Sequence, residues 1–354
     1  MRVLITGNAG YVGSTLIRHL RSVMPSAEII GYDAGFFAHC LTDAGTLPET
    51  RLTCQHYGDV RDLPPSLLDG ADAVVLLAAV SNDPMGDRFA DVTDEINAGA
   101  SLRLARLARE AGVRAFVFAS SCSIYGFAKG GPRGESDEVN PLTAYARSKV
   151  ATERGLAEIN AGGMTITCLR FATACGMSER LRLDLVLNDF VACAIANGEI
   201  TVLSDGTPWR PLIDVSDMAR AIQWAINRDP AAGGEMLSVN AGSDAWNYQV
   251  NDLAEAVAAS VPGTRVSINR EAPPDKRSYQ VDFSLFRRLA PEHQPKTTLA
   301  DSIGRLKTGL QNMAFADKDF RNSSLIRLKT LDRLISQGVL SSSLRWRHDP
   351  PRVS

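Results

Sequence analysis

Hydrophobic positions follow two rhythms along the first half of the chain. Short apolar runs of strand length occur at Val3-Leu4-Ile5, Glu28 to Tyr32, Leu52 to Tyr57, Ala73 to Ala79 and Ala115 to Ala119. Between them apolar residues return every three or four positions. Val12, Leu16, Ile17, Leu20 and Val23 do so in the first interval, and Ile96, Leu102, Leu104 and Leu107 between Asp91 and Ala111. The second rhythm is that of one helix face. Ala73 to Ala79 is apolar throughout, as in a parallel strand covered on both faces. Strands alternating with helices predict an α/β chain built on a doubly wound parallel sheet.

The second half is less regular. Thr165 to Arg170 predicts a sixth strand, Leu185 to Ala196 a helix, and Asp217 to Ile226 another capped by Ser216. From Thr298 two more helical patterns follow, the second through Leu325, Leu328, Leu331 and Leu334, and the chain then reaches Leu344-Arg345-Trp346. No chemistry is visible in this extension. The expected division is a nucleotide-binding domain over residues 1–170 that also carries the reactive groups. Residues 171–354 form a smaller substrate-binding domain, with some segments returning to the sheet and a helical extension from about residue 298.

The turn between the first strand and first helix is Thr6-Gly7-Asn8-Ala9-Gly10-Tyr11-Val12-Gly13. Glycines in that context form a dinucleotide fingerprint and make the sheet Rossmann-type. Gly7 permits the tight turn, Gly10 lets a pyrophosphate approach the backbone, and Gly13 lets helix and strand lie close. The N–H groups at Tyr11 and Val12 open a helix, where phosphates bind. The second strand ends at Asp33, about 20 residues past the glycines, where an acid accepts from the adenosine ribose hydroxyls. Its charge opposes a 2'-phosphate and no arginine follows closely, which favours NAD over NADP. Small residues in Leu77-Ala78-Ala79 let a cofactor lie against the backbone.

Composition narrows the classes. Hydrophobic residues at 45% and charged residues at 22% are ordinary globular usage. A net charge of -2 gives no nucleic-acid surface, and no apolar run has the length of a membrane span. The strand beginning at once after Met1 leaves no room for a signal peptide. Six cysteines without a Cys-x-x-Cys pair indicate neither a metal site nor a disulfide framework. A reduced, cytoplasmic enzyme is expected.

The reactive groups come next in the chain. Ser120-Ser121-Cys122-Ser123-Ile124-Tyr125-Gly126 follows the fifth strand, and Tyr145-Ala146-Arg147-Ser148-Lys149 opens a helix. Tyr145 and Lys149, four apart, share a helix face. The ammonium is expected to lower the phenol's pKa from about 10, making a general base. Ser121 would bond the same oxygen.

Together with the Gly-x-x-Gly-x-x-Gly spacing, these segments resemble the extended short-chain dehydrogenase/reductases, the branch of the NAD-dependent nucleotide-sugar epimerases and dehydratases. The resemblance covers roughly residues 1 to 290. It implies NAD as cofactor, a nucleoside-diphosphate sugar as substrate and a homodimer. In Gly58-Asp59-Val60-Arg61-Asp62 it places adenine contacts at Asp59 and Val60. Asn97 supports the site from its helix, and Ala172 and Thr173 pass the nicotinamide and sugar. Ser81 and Ser123 join the substrate side. Asn188, Arg210 (in Gly206 to Val215) and Arg277 (in Pro273-Pro274-Asp275-Lys276-Arg277) meet the substrate diphosphate.

One departure bears on the reaction. Dehydratases of this branch carry acids just after the serine, where this chain has Cys122 and Ser123, and Cys122 reads as a packing residue. A 4-epimerase needs only the base and the hydride. The expected mechanism is therefore epimerisation through a transient 4-keto sugar, with Tyr145 as base. A 4-ketoreductase or dehydratase on the same scaffold is the first alternative. A catalytically silent NAD sensor is the second, against which an intact Ser121, Tyr145 and Lys149 argue.

Overall fold

The computed structural model describes residues 1–128, 130–272 and 277–347. Its strands are β1 (Arg2–Thr6), β2 (Glu28–Asp33), β3 (Cys54–Tyr57), β4 (Ala73–Leu76), β5 (Ala115–Ser121), β6 (Thr165–Phe171), β7 (Thr173–Cys175), β8 (Glu199–Val202), β9 (Trp209–Asp214), β10 (Met236–Ala241), β11 (Asn247–Gln249) and β12 (Arg265–Ile268). The α-helices are α1 (Tyr11–Val23), α2 (Asp83–Arg88), α3 (Ala90–Thr93), α4 (Ser101–Glu110), α5 (Ala144–Ala157), α6 (Val186–Asn197), α7 (Val215–Asn227), α8 (Val250–Ser260), α9 (Ser284–Leu289), α10 (Leu299–Asn312) and α11 (Arg327–Ser336).

Seven strands form one sheet in the order β10-β6-β5-β4-β1-β2-β3, and every pairing in it is parallel. The direction of winding reverses between β1 and β4. Their following loops therefore part at the carboxyl ends and open a crevice, the place where ligands bind in such sheets. The second half of the chain forms a three-stranded sheet, β11-β9-β7, and the β12-β8 pair, and Thr173, Val202 and Arg210 from these strands line the cavity there.

Three departures from the sequence pattern bear on the site. β4 ends at Leu76, because Leu77 still donates to Thr6 O at 2.9 Å but the chain then leaves the sheet. The helix expected from Asp91 to Ala111 contains a π-helical turn over Asp94–Ala100, a distortion that recurs at functional sites. The cap of α7 is Asp214, not Ser216: the Asp214 carboxylate accepts from Ser216 N at 2.9 Å.

Apolar clusters cover both faces of the large sheet, and a third fills the second half. α10 belongs to the third cluster through Ile303, Leu306 and Leu310. The chain then recrosses the molecule. Leu331 and Leu334 of α11, with Leu340 and Leu344 beyond it, pack in the cluster over β4 and α4. Fully burying a leucine contributes about 1.5–3 kcal/mol, so this return is a stable part of the fold.

Candidate active site

A cavity of about 840 Å³ lies over the carboxyl ends of the strands. Every residue expected of the cofactor and substrate sites lines it, with the exceptions of Asn97 and Asn188.

The glycine turn is shaped for a dinucleotide. Gly7 has φ +77°, and a Cβ there would fall 2.5 Å from Ala78 N. A Cβ at Gly13 would meet Asn8 O at 2.3 Å. α1 therefore sits hard against its strand, and its first turn has no side-chain cap to occupy the N–H groups. That uncapped end suits a pyrophosphate. Tyr11 ties the turn to the second half of the chain by donating to Gly176 O at 2.7 Å.

Asp33 accepts from Ala9 N at 3.0 Å and Gly35 N at 2.7 Å, which fixes its carboxylate beside the turn. Burial raises its pKa, and those two bonds together with the charge of Arg180 oppose the rise. Arg180, 147 positions further along the chain, brings a positive charge to bear on Asp33, so the absence of a nearby arginine in sequence does not describe the folded site. Its guanidinium is paired with Glu49 at 2.8 Å. Asp59 is held by Arg61, which donates to the carboxylate from its backbone at 2.9 Å and from its side chain at 3.0 Å.

The reactive groups sit at the end of β5. Ser121 caps a short 3-10 turn, and its Oγ accepts from Ser123 N at 3.1 Å. Its proton is thereby free for the phenol of Tyr145, whose pKa the Ser121 hydroxyl lowers. Thr143 caps α5, which begins the tyrosine's helix, and donates to Asp83 at 2.7 Å.

Lys149 differs from expectation. Its Nζ donates to Ala119 O at 2.7 Å and lies 5.4 Å from the centre of the Tyr145 ring. Burial brings its pKa down to about 8, opposed by Glu153. Burial, with the charge of Asp83, pushes the Tyr145 phenol up to about 12, while the Ser121 bond and the Arg182 charge pull it down. The opposing cation in the protein is thus Arg182, and the lysine is anchored on a carbonyl.

Asn97 does not reach the cavity. From the π-helical turn it accepts from Val80 N at 2.8 Å and donates to Val80 O and Ser148 Oγ, both at 3.0 Å. It fastens the loop after β4 to the tyrosine's helix, so it positions rather than contacts. Asn188 is also turned inward: it accepts from Gly176 N and donates to Arg182 O, both at 2.9 Å. The second residue of its helix to face the core, it braces the loop before α6 and leaves the cavity wall to Asp189.

Arg210 and Arg277 both line the cavity, and Arg277 is paired with Asp83 at 3.0 Å. Pro273 to Lys276 lie outside the described residues. Ser123 Oγ is buried without a protein partner, which leaves it for a ligand hydroxyl.

Arg182 is the site residue that no motif marks. Its guanidinium donates to Ser81 Oγ at 3.1 Å and is paired with Asp184 at 2.8 Å. The available signal was Glu179-Arg180-Leu181-Arg182-Leu183-Asp184, where ionisable and apolar residues alternate immediately before a helix. Arg180 and Arg182 are both almost fully buried.

The chain is similar in sequence and in fold to known proteins. The chain is 27% identical over 312 residues to a protein of Bacillus subtilis described as the uncharacterized UDP-glucose epimerase YtcB, covering 86% of this chain and 96% of that one. It is 25% identical over 311 residues to the dTDP-glucose 4,6-dehydratase of Streptomyces griseus, covering 85% and 91%. The solved structure of MoeE5 in complex with UDP-glucuronic acid and NAD superposes with a TM-score of 0.74 at 25% identity, over 88% of this chain and all of that one. The model of the NAD dependent epimerase/dehydratase family matches residues 3–242. The chain belongs to that family.

Proposed function

We propose that the protein is an NAD-dependent 4-epimerase of a nucleoside-diphosphate sugar. The observation that carries the reading is the placement of Ser121, at the carboxyl end of β5, and Tyr145 in the wall of one cavity, with two residues after Ser121 that are not acids. Cys122 is buried and donates to Arg170 O at 3.1 Å, and burial raises its thiol well above the ordinary range. The carboxylates on the sugar side of the cavity are committed to cations: Asp83 to Arg277, Asp184 to Arg182 and Asp189 to Arg321. Against burial, which raises it, Arg182 holds Asp184 below its ordinary value. An acid without a cationic partner, of the kind an elimination would use, is absent from this set.

The glycine turn, Asp33 and Lys149 would hold NAD, which would supply hydride acceptance and return. Tyr145 Oη takes the proton of the C4 hydroxyl and later gives it back. Ser121 donates to that oxygen and steadies its charge. Arg210 and Arg277 hold the diphosphate, since guanidinium groups match phosphate oxygens in shape and charge. Anchoring there leaves the hexose free to turn in the cavity.

Incubation with a panel of UDP- and dTDP-sugars, followed by mass spectrometry and proton NMR, tests the reading. An epimer keeps the mass of its substrate. Loss of water identifies a dehydratase and gain of two hydrogens a reductase, and either outcome replaces the epimerase assignment.

A further inference from the structure

The C-terminal extension lies beyond the family match, yet it reaches the cavity. Arg327, the first residue of α11, is 1% exposed and lines the wall. One of its terminal nitrogens donates to Arg180 O at 2.7 Å, and its guanidinium carbon stands 4.7 Å from the centre of the Phe37 ring. The other, Nη1, is buried with no hydrogen-bond partner. No carboxylate among the described residues lies within ion-pair distance of it.

Its surroundings sharpen the imbalance. Arg180 has the carboxylate of Glu49 at ion-pair distance and Arg182 that of Asp184, which leaves Arg327 as the one of these three guanidinium groups without a counter-charge. Burial first, then the charges of Arg182 and Arg180, push its pKa down to about 10, with Cys40 and Asp184 opposing. A buried, unpaired cation is costly, and one at a cavity wall is relieved when an anion enters. A diphosphate is the anion a planar guanidinium fits.

The rest of the extension holds the same end of the cavity. Trp346 Nε1 donates to Ala34 O at 2.6 Å, and its ring lies 5.5 Å from that of Phe36. Arg61, beside Asp59, donates to Ser343 O at 3.0 Å and Leu344 O at 3.1 Å. The segment thus bridges the loop after β2 and the turn after β3, the two elements that flank the adenosine position. Leu331 and Leu344 complete the wall beneath it.

We propose that the extension is part of the cofactor site: Arg327 supplies a guanidinium to the dinucleotide's diphosphate, and the Leu344–Trp346 segment closes its adenosine end. This rests on the dinucleotide reading of the cavity. The alternative source of a diphosphate is the nucleotide sugar, but Arg327 stands on Phe37, in the loop that follows Asp33, and on the backbone of Arg180, whose charge acts on Asp33.

The test is calorimetric titration of the ligand-free protein with NAD, ADP-ribose, and UDP or dTDP, whichever the wild type binds. Thermal unfolding is measured alongside. The variants are Arg327→Gln, Arg327→Lys and a chain ending at Gln337. Arg327→Gln should weaken NAD and ADP-ribose about tenfold or more and leave the uridine or thymidine diphosphate within about twofold. Because it removes an unpaired buried charge, its ligand-free melting temperature should hold or rise while the NAD-induced increase shrinks. Arg327→Lys should recover part of the affinity. The shortened chain, which keeps Arg327, should also lose NAD affinity and retain the pyrimidine nucleotide.

An Arg327→Gln protein that binds NAD within twofold of wild type overturns the proposal. So does equal weakening of both ligand classes, or a fall in ligand-free stability that accounts for the lost binding. Should Arg327→Gln fail to fold, Arg327→Lys and the shortened chain decide, and unchanged NAD binding in both sinks the idea. A wild type that binds no NAD at all defeats the cofactor reading itself, which is a different failure.

Discussion

The two ends of the cavity are assembled in different ways. At the reacting end, Ser121, Tyr145 and Lys149 come from two short stretches, each ordered by its own element: the end of β5 and the first two turns of α5. At the adenosine end, the glycine turn is local, but the groups around it come from distant parts of the chain. Arg180 precedes α6, Arg327 opens α11, and Trp346 follows it. Chemistry fixed within one helical turn survives changes elsewhere. A wall assembled from remote segments depends on the packing that brings them together.

The sharpest break at the reacting end is Tyr145→Phe. The ring and its packing remain, and the oxygen that takes the proton is lost. Turnover on the best substrate should fall by about 10³-fold or more, in line with the contribution of a positioned base. NAD affinity from calorimetry should stay within about twofold of wild type. A variant keeping a tenth of wild-type turnover would remove Tyr145 from the mechanism.

The substrate end should respond differently. Arg210→Ala removes a diphosphate contact that ground and transition states share, so KM should rise about 10- to 100-fold while kcat changes little. A loss confined to kcat would mean that Arg210 acts on the reacting sugar.

This contrast also explains what was legible in the sequence. The parallel sheet, the glycine turn and the serine–tyrosine–lysine set rest on period, spacing and turn geometry within 30 residues or fewer, and all are present. Asn97 and Asn188 lie on the expected helices. However, which face a polar residue presents depends on the neighbouring loop, and both turn away from the cavity to bond backbone. Arg182 and Arg327 were hidden for the opposite reason. A buried arginine looks like a solvated one until the fold supplies its surroundings, and the π-helical turn over Asp94–Ala100 likewise has no signal in hydrophobic spacing.

A smaller effect would sharpen the electrostatics of the base. The phenolate form is required, so kcat/KM should rise with pH through the pKa of Tyr145. Asp83 raises that pKa and Arg182 lowers it. Asp83→Asn should therefore move the rise to lower pH, and Arg182→Met to higher pH, each by about half to one unit. The pH profile of kcat/KM for the three proteins is the check. Shifts of the same sign would show that neither charge acts directly on the phenol.

The smallest effect is expected one residue from the catalytic serine. Cys122 follows Ser121 in the chain but points the other way, into the core with Ile124 and Tyr125, and its thiol donates to Arg170 O. Burial keeps that thiol protonated at any working pH, and no path leads from it to the sugar side. Cys122→Ala should cost about 1 kcal/mol of stability, from a lost sulfur contact and a small void. Its kcat and KM should remain within about twofold of wild type. Thermal unfolding and steady-state kinetics on the same preparation separate the two. A large fall in kcat with an unchanged melting temperature would give Cys122 a role in the reaction. It would also reopen the elimination chemistry that the paired carboxylates argue against.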